Sequence, residues 1–291
     1  MVRSDTTTSN FSANFQLIFS ISRRTRADTI LISRLCKATS FSSQPKRHKD
    51  NMPIGEIEIH PYLQQGQING ATKMILGSFP VYECTDQDNQ IKQQNRQNEG
   101  TIRFFYGSID SGLWGLYRDN IDNAILLPPN PNFILPSLAQ RQIAVSDTIV
   151  SCERHEFSSE DSKLIRKSYN RQGIQTLIQN GVRKIICTSK GVLKDLERQI
   201  ILQGNLPFGQ VDNLAGCTFQ DNFIAGVGGN TNQITSPIAK VFVVDNFQVT
   251  ALAIPSPGSP QRQLAQFGFN AQNWRNYADN YFSNAFNWLN E

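Results

Sequence analysis

Short apolar runs alternate with polar or periodically apolar stretches along most of this chain, a pattern that predicts strands interleaved with helices. Lys73 to Leu76 reads as a strand, cut off by Gly77-Ser78-Phe79-Pro80, and Val81 to Asn98 as a polar, Gln/Asn-rich loop. An aromatic segment from Ile102 to Trp114 follows, then a strand candidate at Ile125-Leu126-Leu127. Ser146 to Val150 reads as a short element entering a pocket wall. Ser162 to Asn180 has Leu164, Ile165, Ile174, Leu177 and Ile178 at helical spacing, with Gly181 as a C-terminal stop. Arg183 to Cys187 is a strand candidate and Val192 to Leu202 a helix.

Residues 204–237 are rich in Gly, Asn and Gln and read as an irregular excursion; within it, Gly226 to Asn230 lacks the spacing of a dinucleotide fingerprint. Val241 to Val244 and Phe247 to Ile254 flank Asp245-Asn246, a two-residue hairpin turn. The second of these strands runs into Pro255-Ser256-Pro257-Gly258-Ser259-Pro260. Trp274 to Leu289 reads as a helix whose Trp274, Tyr277, Tyr281 and Trp288 form a packing stripe. The sum is an α/β fold: three α/β/α layers around a central, mainly parallel sheet. In such sheets ligands sit beyond the carboxyl ends of the strands, so two rigid loops on that edge could frame one pocket.

Composition narrows the function classes. At 39% hydrophobic residues and a mean hydropathy of −0.37, the chain suits a soluble globular domain, and no apolar run approaches the roughly 18–20 residues of a membrane-spanning helix. Five scattered cysteines (Cys36, Cys84, Cys152, Cys187, Cys217) show neither a disulfide framework nor metal-ligand spacing. Reduced thiols, an intracellular setting (cytoplasm, nucleoid or nucleus) and no metal or cofactor are therefore expected.

The formal charge of +4 is unevenly spread. Residues 1–51 hold nine Lys/Arg against three acids, whereas the remainder holds 19 against 21. The first 51 residues read as a disordered basic tail: an organelle transit segment, the product of a start assigned upstream of Met52, or a basic arm. Residues 52–291 read as the folded domain, and any nucleic acid it binds must meet a local basic patch.

Between the two proline loops lies Arg103-Phe104-Phe105-Tyr106-Gly107-Ser108-Ile109-Asp110-Ser111-Gly112-Leu113-Trp114. Aromatics beside a glycine turn can wall a flat pocket for a planar heterocycle, and can equally form a core cluster. Asp110 is the nearest carboxylate in a motif, with Glu83 and Asp147 in reserve; His60 and His155 are isolated histidines, and Arg154 suits a contact to DNA or the pocket, or a surface ion pair.

With the three segments in this order, the chain resembles the uracil-DNA glycosylase superfamily, especially its mismatch-specific and single-strand-selective-like branches. Members carry a G-x-x-P loop after the first strand, an F-Y-G segment ending in aromatics, and a Pro-Ser-Pro loop after the last strand. Ser146 to Arg154, Ser158 to Ser162 and Ile186 to Lys190 are similar to further pocket-wall regions, so the likeness spans roughly residues 70–265. It implies a DNA glycosylase, acting as a monomer on DNA with deaminated bases, that flips out uracil or a related base and hydrolyses its N-glycosidic bond.

Under that resemblance Gly77, Phe79, Pro80, Phe105, Tyr106, Gly107 and Ser189 bind the base. Pro255, Ser256, Pro257, Gly258, Ser259 and Arg262 meet the DNA backbone. Ser78, Asp110 and Ser111 occupy the catalytic positions. The chain departs from the pattern where water is positioned: Ser78 and Phe79 stand in the first loop in place of Asp or Asn, Ser111 matches an Asn, and Ile254 matches a His before Pro-Ser-Pro. A catalytically inactive protein of the same fold that binds nucleic acid or a nucleobase is thus the alternative. An unrelated doubly wound hydrolase or nucleotide-binding protein is a third reading, though neither a nucleophile elbow nor a P-loop is present.

Overall fold

A computed structural model describes residues 57–85, 100–154, 160–203, 208–244, 246–269 and 273–291. All fall in the second of two compact units, Met52–Glu291. The expected basic tail, and His155, lie outside the described residues.

Nine strands form two sheets among the described residues: β1 (Ile57–Ile59), β2 (Lys73–Gly77), β3 (Ile143–Asp147), β4 (Ile149–Arg154), β5 (Leu164–Tyr169), β6 (Lys184–Cys187), β7 (Phe208–Asp212), β8 (Ala239–Val244) and β9 (Phe247–Ala253). The large sheet runs β3-β2-β6-β9-β8-β7. Its first four strands are parallel, and the β8 and β7 pairings are antiparallel. Met74-Ile75-Leu76, Ile185-Ile186 and Ala251-Leu252-Ala253 are fully buried, as continuous apolar strands between two helical layers should be. Helices Leu113–Asn120, Asn213–Gly226 and Trp274–Asn290 lie to one side. Phe223 meets Tyr281 at 5.0 Å and Phe219 meets Trp288 at 5.3 Å, so the aromatic stripe of the last helix is core packing. Helix Arg171–Gln179 and the helical run from Lys190 to Ile201 pack on each other on the other side, where the Gln175 amide donates to the Ile200 carbonyl. The protein is a three-layer α/β/α domain.

The order of these strands places a crevice. β2 leads to β3 on its left, and the chain then crosses to β6 on its right. The loops after β2 and β6 therefore diverge, which opens a gap at their carboxyl ends. At Thr148 the chain leaves β3 for β4 and the small sheet β1-β4-β5, with Thr148 and Ile149 N–H groups donating to the Gly77 and Ser78 carbonyls. This small sheet has its own core of Phe79, Ile149, Cys152 and Leu164.

Four expected elements differ, the first being the Val81 to Asn98 loop, whose described part carries a one-turn helix, Tyr82–Thr85. Ser162 to Asn180 is a 3-10 turn (Asp161–Lys163), then β5, then helix Arg171–Gln179. Leu164 packs into the small core while Ile174 and Ile178 pack into the large one, so residues serving two cores mimicked one helical face. Ile125 to Leu127 is not a strand: Ile125 is buried, Leu126 and Leu127 are exposed, and Pro128-Pro129 supply no ladder donors. The excursion over 204–237 contains β7 and helix Asn213–Gly226, started by Asp212, whose side chain accepts from the Ala215 N–H at 3.0 Å. The β8–β9 hairpin forms as read, with Asn246 at φ 67° supplying the left-handed residue such a turn needs; Asp245 is outside the described residues.

Candidate functional site

The crevice is a cavity of about 1040 Å³ lined from six directions: the loop after β2, the segment around Tyr106, the end of β3, the turn before β5, the start of the helix after β6, and the loop after β9. The β9 loop and the aromatic segment meet through glycines. A Cβ on Gly258 would lie 2.5 Å from the Asp110 carbonyl oxygen, and one on Gly112 (φ +67°) 3.0 Å from that of Pro257. Side chains at these two positions would push the loops apart.

Of the residues expected to bind a base, Pro80, Tyr106, Gly107 and Ser189 line the cavity. Phe79 also lines it, but is 7% exposed, with its ring edge-on to His60 at 5.5 Å and the Arg154 guanidinium 5.8 Å from its centroid. Little of that ring is left to meet a ligand. Phe105 is not in the cavity wall. It is fully buried against Phe104, His60 and Tyr62, because the backbone carbonyl of Phe105 is tied to the Trp114 indole N–H and its ring turns inward. Tyr106 turns outward through a left-handed backbone (φ 51°), a conformation that a bulky residue rarely takes. Gly77 is buried behind the cavity. Ser256, Pro257, Gly258, Ser259 and Arg262 line the rim, and Pro255 is buried beneath it.

The three catalytic candidates all line the cavity, yet two are engaged. Ser78 Oγ donates to Asp161 Oδ1 at 2.7 Å and Ser111 Oγ to the Tyr106 carbonyl at 2.6 Å. Asp110 is exposed at the mouth. Ser189 accepts from the Val192 N–H, capping its helix. Arg154 is not a surface ion pair but supports the pocket wall. It is buried, binds Glu58 through two hydrogen bonds (2.9 and 3.3 Å) and donates to the Pro80 carbonyl at 2.9 Å, buttressing the first loop from behind.

Two carboxylates stand out that the motif reading did not favour. Asp161 is exposed on the cavity rim, and partial desolvation raises its carboxyl above the ordinary value; the Ser78 hydrogen bond opposes that rise. Asp147, held in reserve by the sequence, ends β3 and is 3% exposed. Its Oδ2 accepts from His60 Nε2 at 2.7 Å. The Tyr62 N–H can only donate, and it reaches His60 Nδ1 at 3.0 Å, so Nδ1 carries a lone pair and Nε2 the proton. His60 is thus a neutral imidazole giving a hydrogen bond to the carboxylate. Asp147 Oδ1 is buried with no hydrogen-bond partner among the described residues.

Gly77 explains how these groups approach. A Cβ there would stand 2.0 Å from Tyr106 Oη and 2.1 Å from Asp147 Oδ1, so only glycine lets the two oxygens share that space. The Thr188 hydroxyl donates to the Leu76 carbonyl, which leaves Tyr106 Oη to donate to Thr188 Oγ1 at 2.6 Å. Burial, with the Asp147 charge adding to it, pushes the Tyr106 hydroxyl well above its ordinary value, so it stays a phenol. The lining carries five acids (Glu83, Asp110, Asp147, Glu160, Asp161) and two bases (Lys190, Arg262). Among the described residues no group of His, Cys, Asp and Glu is arranged to hold a metal ion.

Strand order and loops together define a three-layer α/β/α protein with a ligand-sized cavity at the carboxyl edge of its sheet. No family profile and no curated protein matches the chain. Among solved structures, an NMR structure from Methanosarcina acetivorans, provisionally described as a uracil DNA glycosylase, is similar over 46% of this chain and 71% of its own, with 20% identity and a TM-score of 0.31. So loose a superposition carries no argument, and the fold rests on the strand order itself.

Proposed function

We propose that this protein is a DNA glycosylase that accepts a flipped uracil or related deaminated base and hydrolyses its N-glycosidic bond. The observation that supports this most is convergence. The Gly77–Pro80 loop, Tyr106 and the Ser256–Ser259 loop are far apart in sequence and line one cavity. A single base extruded from DNA needs such a slot, with a stacking surface and polar groups at its walls. Scission builds positive charge on the sugar, which the acid-rich lining favours. Phosphates would be met at the rim, by Arg262 and Lys190.

The alternative, a binder of nucleic acid or a nucleobase that does not cut, draws support from one feature. Ser78 and Ser111 spend their hydroxyl protons on protein acceptors, so neither can orient a water by donating to it. Oligonucleotides carrying uracil, hypoxanthine, xanthine or mismatched thymine decide between the two. Abasic product from any of them with sub-stoichiometric protein is the expected result. Salt-sensitive binding with no abasic product from the whole panel would establish the alternative.

A further inference from the structure

We propose that Asp147 is the water-activating carboxylate of this cavity, with Tyr106 Oη as its fellow acceptor and His60 as the residue that positions it. The inference rests on the glycosylase reading and assigns its chemistry to an element other than the three motif loops.

Three observations carry it. Asp147 lines the cavity at 3% exposure, and its Oδ1 is left without a donor among the described residues. Leaving a charged acceptor buried and unpaired is costly, so such a group is retained where its partner comes from the cavity. Its other oxygen is fixed. Tyr62 N–H sets the His60 tautomer and His60 Nε2 holds Oδ2 at 2.7 Å, which fixes the orientation of the carboxylate. Finally, Tyr106 has given its proton to Thr188 and Gly77 admits its oxygen beside Oδ1, so the two face the same small space with lone pairs only.

Two acceptors sharing one space suit a water molecule. Its hydrogens would go to Asp147 Oδ1 and Tyr106 Oη, leaving an oxygen lone pair directed at the sugar. In the reaction the water oxygen bonds to C1′ as the C1′–N bond breaks and the bonding pair leaves with the base. The water's proton passes to Oδ1 and then, through solvent, to the released base. No oxidant, metal or cofactor enters the balance.

The test compares wild type with Asp147→Asn, His60→Phe and His60→Gln in single-turnover cleavage of the oligonucleotide panel. The introduced amide in Asp147→Asn can still accept from His60 while turning a donor toward Tyr106 Oη. Thermal stability should therefore be kept or raised while cleavage falls about 10²–10⁴-fold, the usual worth of a general base, with DNA affinity unchanged. His60→Phe removes the hydrogen bond that holds Oδ2, so its cleavage rate should fall with DNA affinity unchanged, and His60→Gln, which keeps a donor, should restore part of the rate. A wild type that leaves every oligonucleotide intact overturns both this role and the glycosylase reading. Wild-type cleavage that survives Asp147→Asn within about threefold overturns the role of Asp147 alone, and a folded His60→Phe that cleaves within about threefold of wild type, or a His60→Gln no faster than it, overturns that of His60. If Asp147→Asn does not fold, the two His60 variants decide the question.

Discussion

Replacing Gly258 by alanine tests whether the β9 loop and the aromatic segment close on each other as described. The new Cβ would sit 2.5 Å from the Asp110 carbonyl oxygen, about 0.9 Å short of the 3.4 Å at which ordinary contact begins. The obstacle is a backbone atom rather than the end of a flexible side chain, so a loop must move. Overpacking of this kind costs ~1–3 kcal/mol. In a folded unit of this size each kcal/mol lowers Tm by roughly 2–4 °C, so a fall of about 2–12 °C is expected. The displacement has a second effect. Groups on both sides of the cavity shift by close to an ångström, a misplacement that can cost ~10²-fold in rate. Gly226→Ala is the control, because its Cβ meets nothing within 4 Å and its position is helical, so it should be neutral or stabilising by up to ~1 kcal/mol. The assay is thermal unfolding of both variants beside wild type, with cleavage or DNA binding as the functional readout. If Gly258→Ala unfolds within about 1 °C of wild type and keeps full function, the two loops do not meet and the reasoning fails, since even the low end of the overpacking range would be visible.

Gly77→Ala should be more damaging to function than to fold. Its Cβ would displace Tyr106 Oη and Asp147 Oδ1 together, so loss of cleavage with a folded near-UV spectrum is expected, and full activity would contradict the shared space. Asp161→Asn should alter the pH dependence of stability. A carboxyl raised above its ordinary value of 3.8 lends stability in acid that is lost as pH rises through the raised value. The variant should therefore gain on wild type in urea midpoint from about pH 4 toward neutrality; parallel curves would refute the perturbation. Thiol labelling at pH 8 in native buffer should modify exposed Cys217 while sparing Cys84, Cys152 and Cys187. Burial pushes the first two of those up to about 12 and the third higher still, so rapid labelling of any of the three would contradict their placement.

Much of this arrangement was legible in the residues. Continuous apolar runs ended by Gly or Pro mark strands buried on both faces, and β2, β6 and β9 were readable because such strands need no alternation. The β8–β9 hairpin was readable because Asn tolerates the left-handed turn position. What the sequence hid was set by tertiary partners. Leu164 and Ile165 look like the start of a helix until Leu164 is seen packing into the small sheet's core. Phe105 and Tyr106 are adjacent aromatics of equal promise, and only the φ 51° turn at Tyr106 sends one inward and the other to the cavity. Asp147 was visible as a carboxylate at a strand end but not as an unpaired one. That property depends on His60, 87 residues away, and on the Tyr62 backbone that fixes its tautomer. A signal was present nonetheless: in a wholly buried strand, Ile143-Ala144-Val145-Ser146-Asp147, a terminal charge has to be explained by a partner or a task.

Acids outnumber bases around the cavity, and that excess constrains how a polyanion could be handled. Five acids and two bases around one space repel a phosphate that enters it, so the backbone of any bound strand must stay outside while a single uncharged base goes in. The bases lie where that requires. Arg262 stands on the proline loop, and Lys190 sits at the start of the helix after β6, its Nζ held to the Gln266 carbonyl. Asp110, Glu160 and Asp161 are exposed, as Arg262 is, so the rim carries both signs, whereas Asp147 is an acid buried in the wall. A carboxylate placed there would favour a sugar that becomes cationic as its base departs, which ground-state binding of the base alone does not require. That placement, at the end of β3 rather than on either of the loops whose sequences drew attention first, fits bond cleavage better than passive storage of a base.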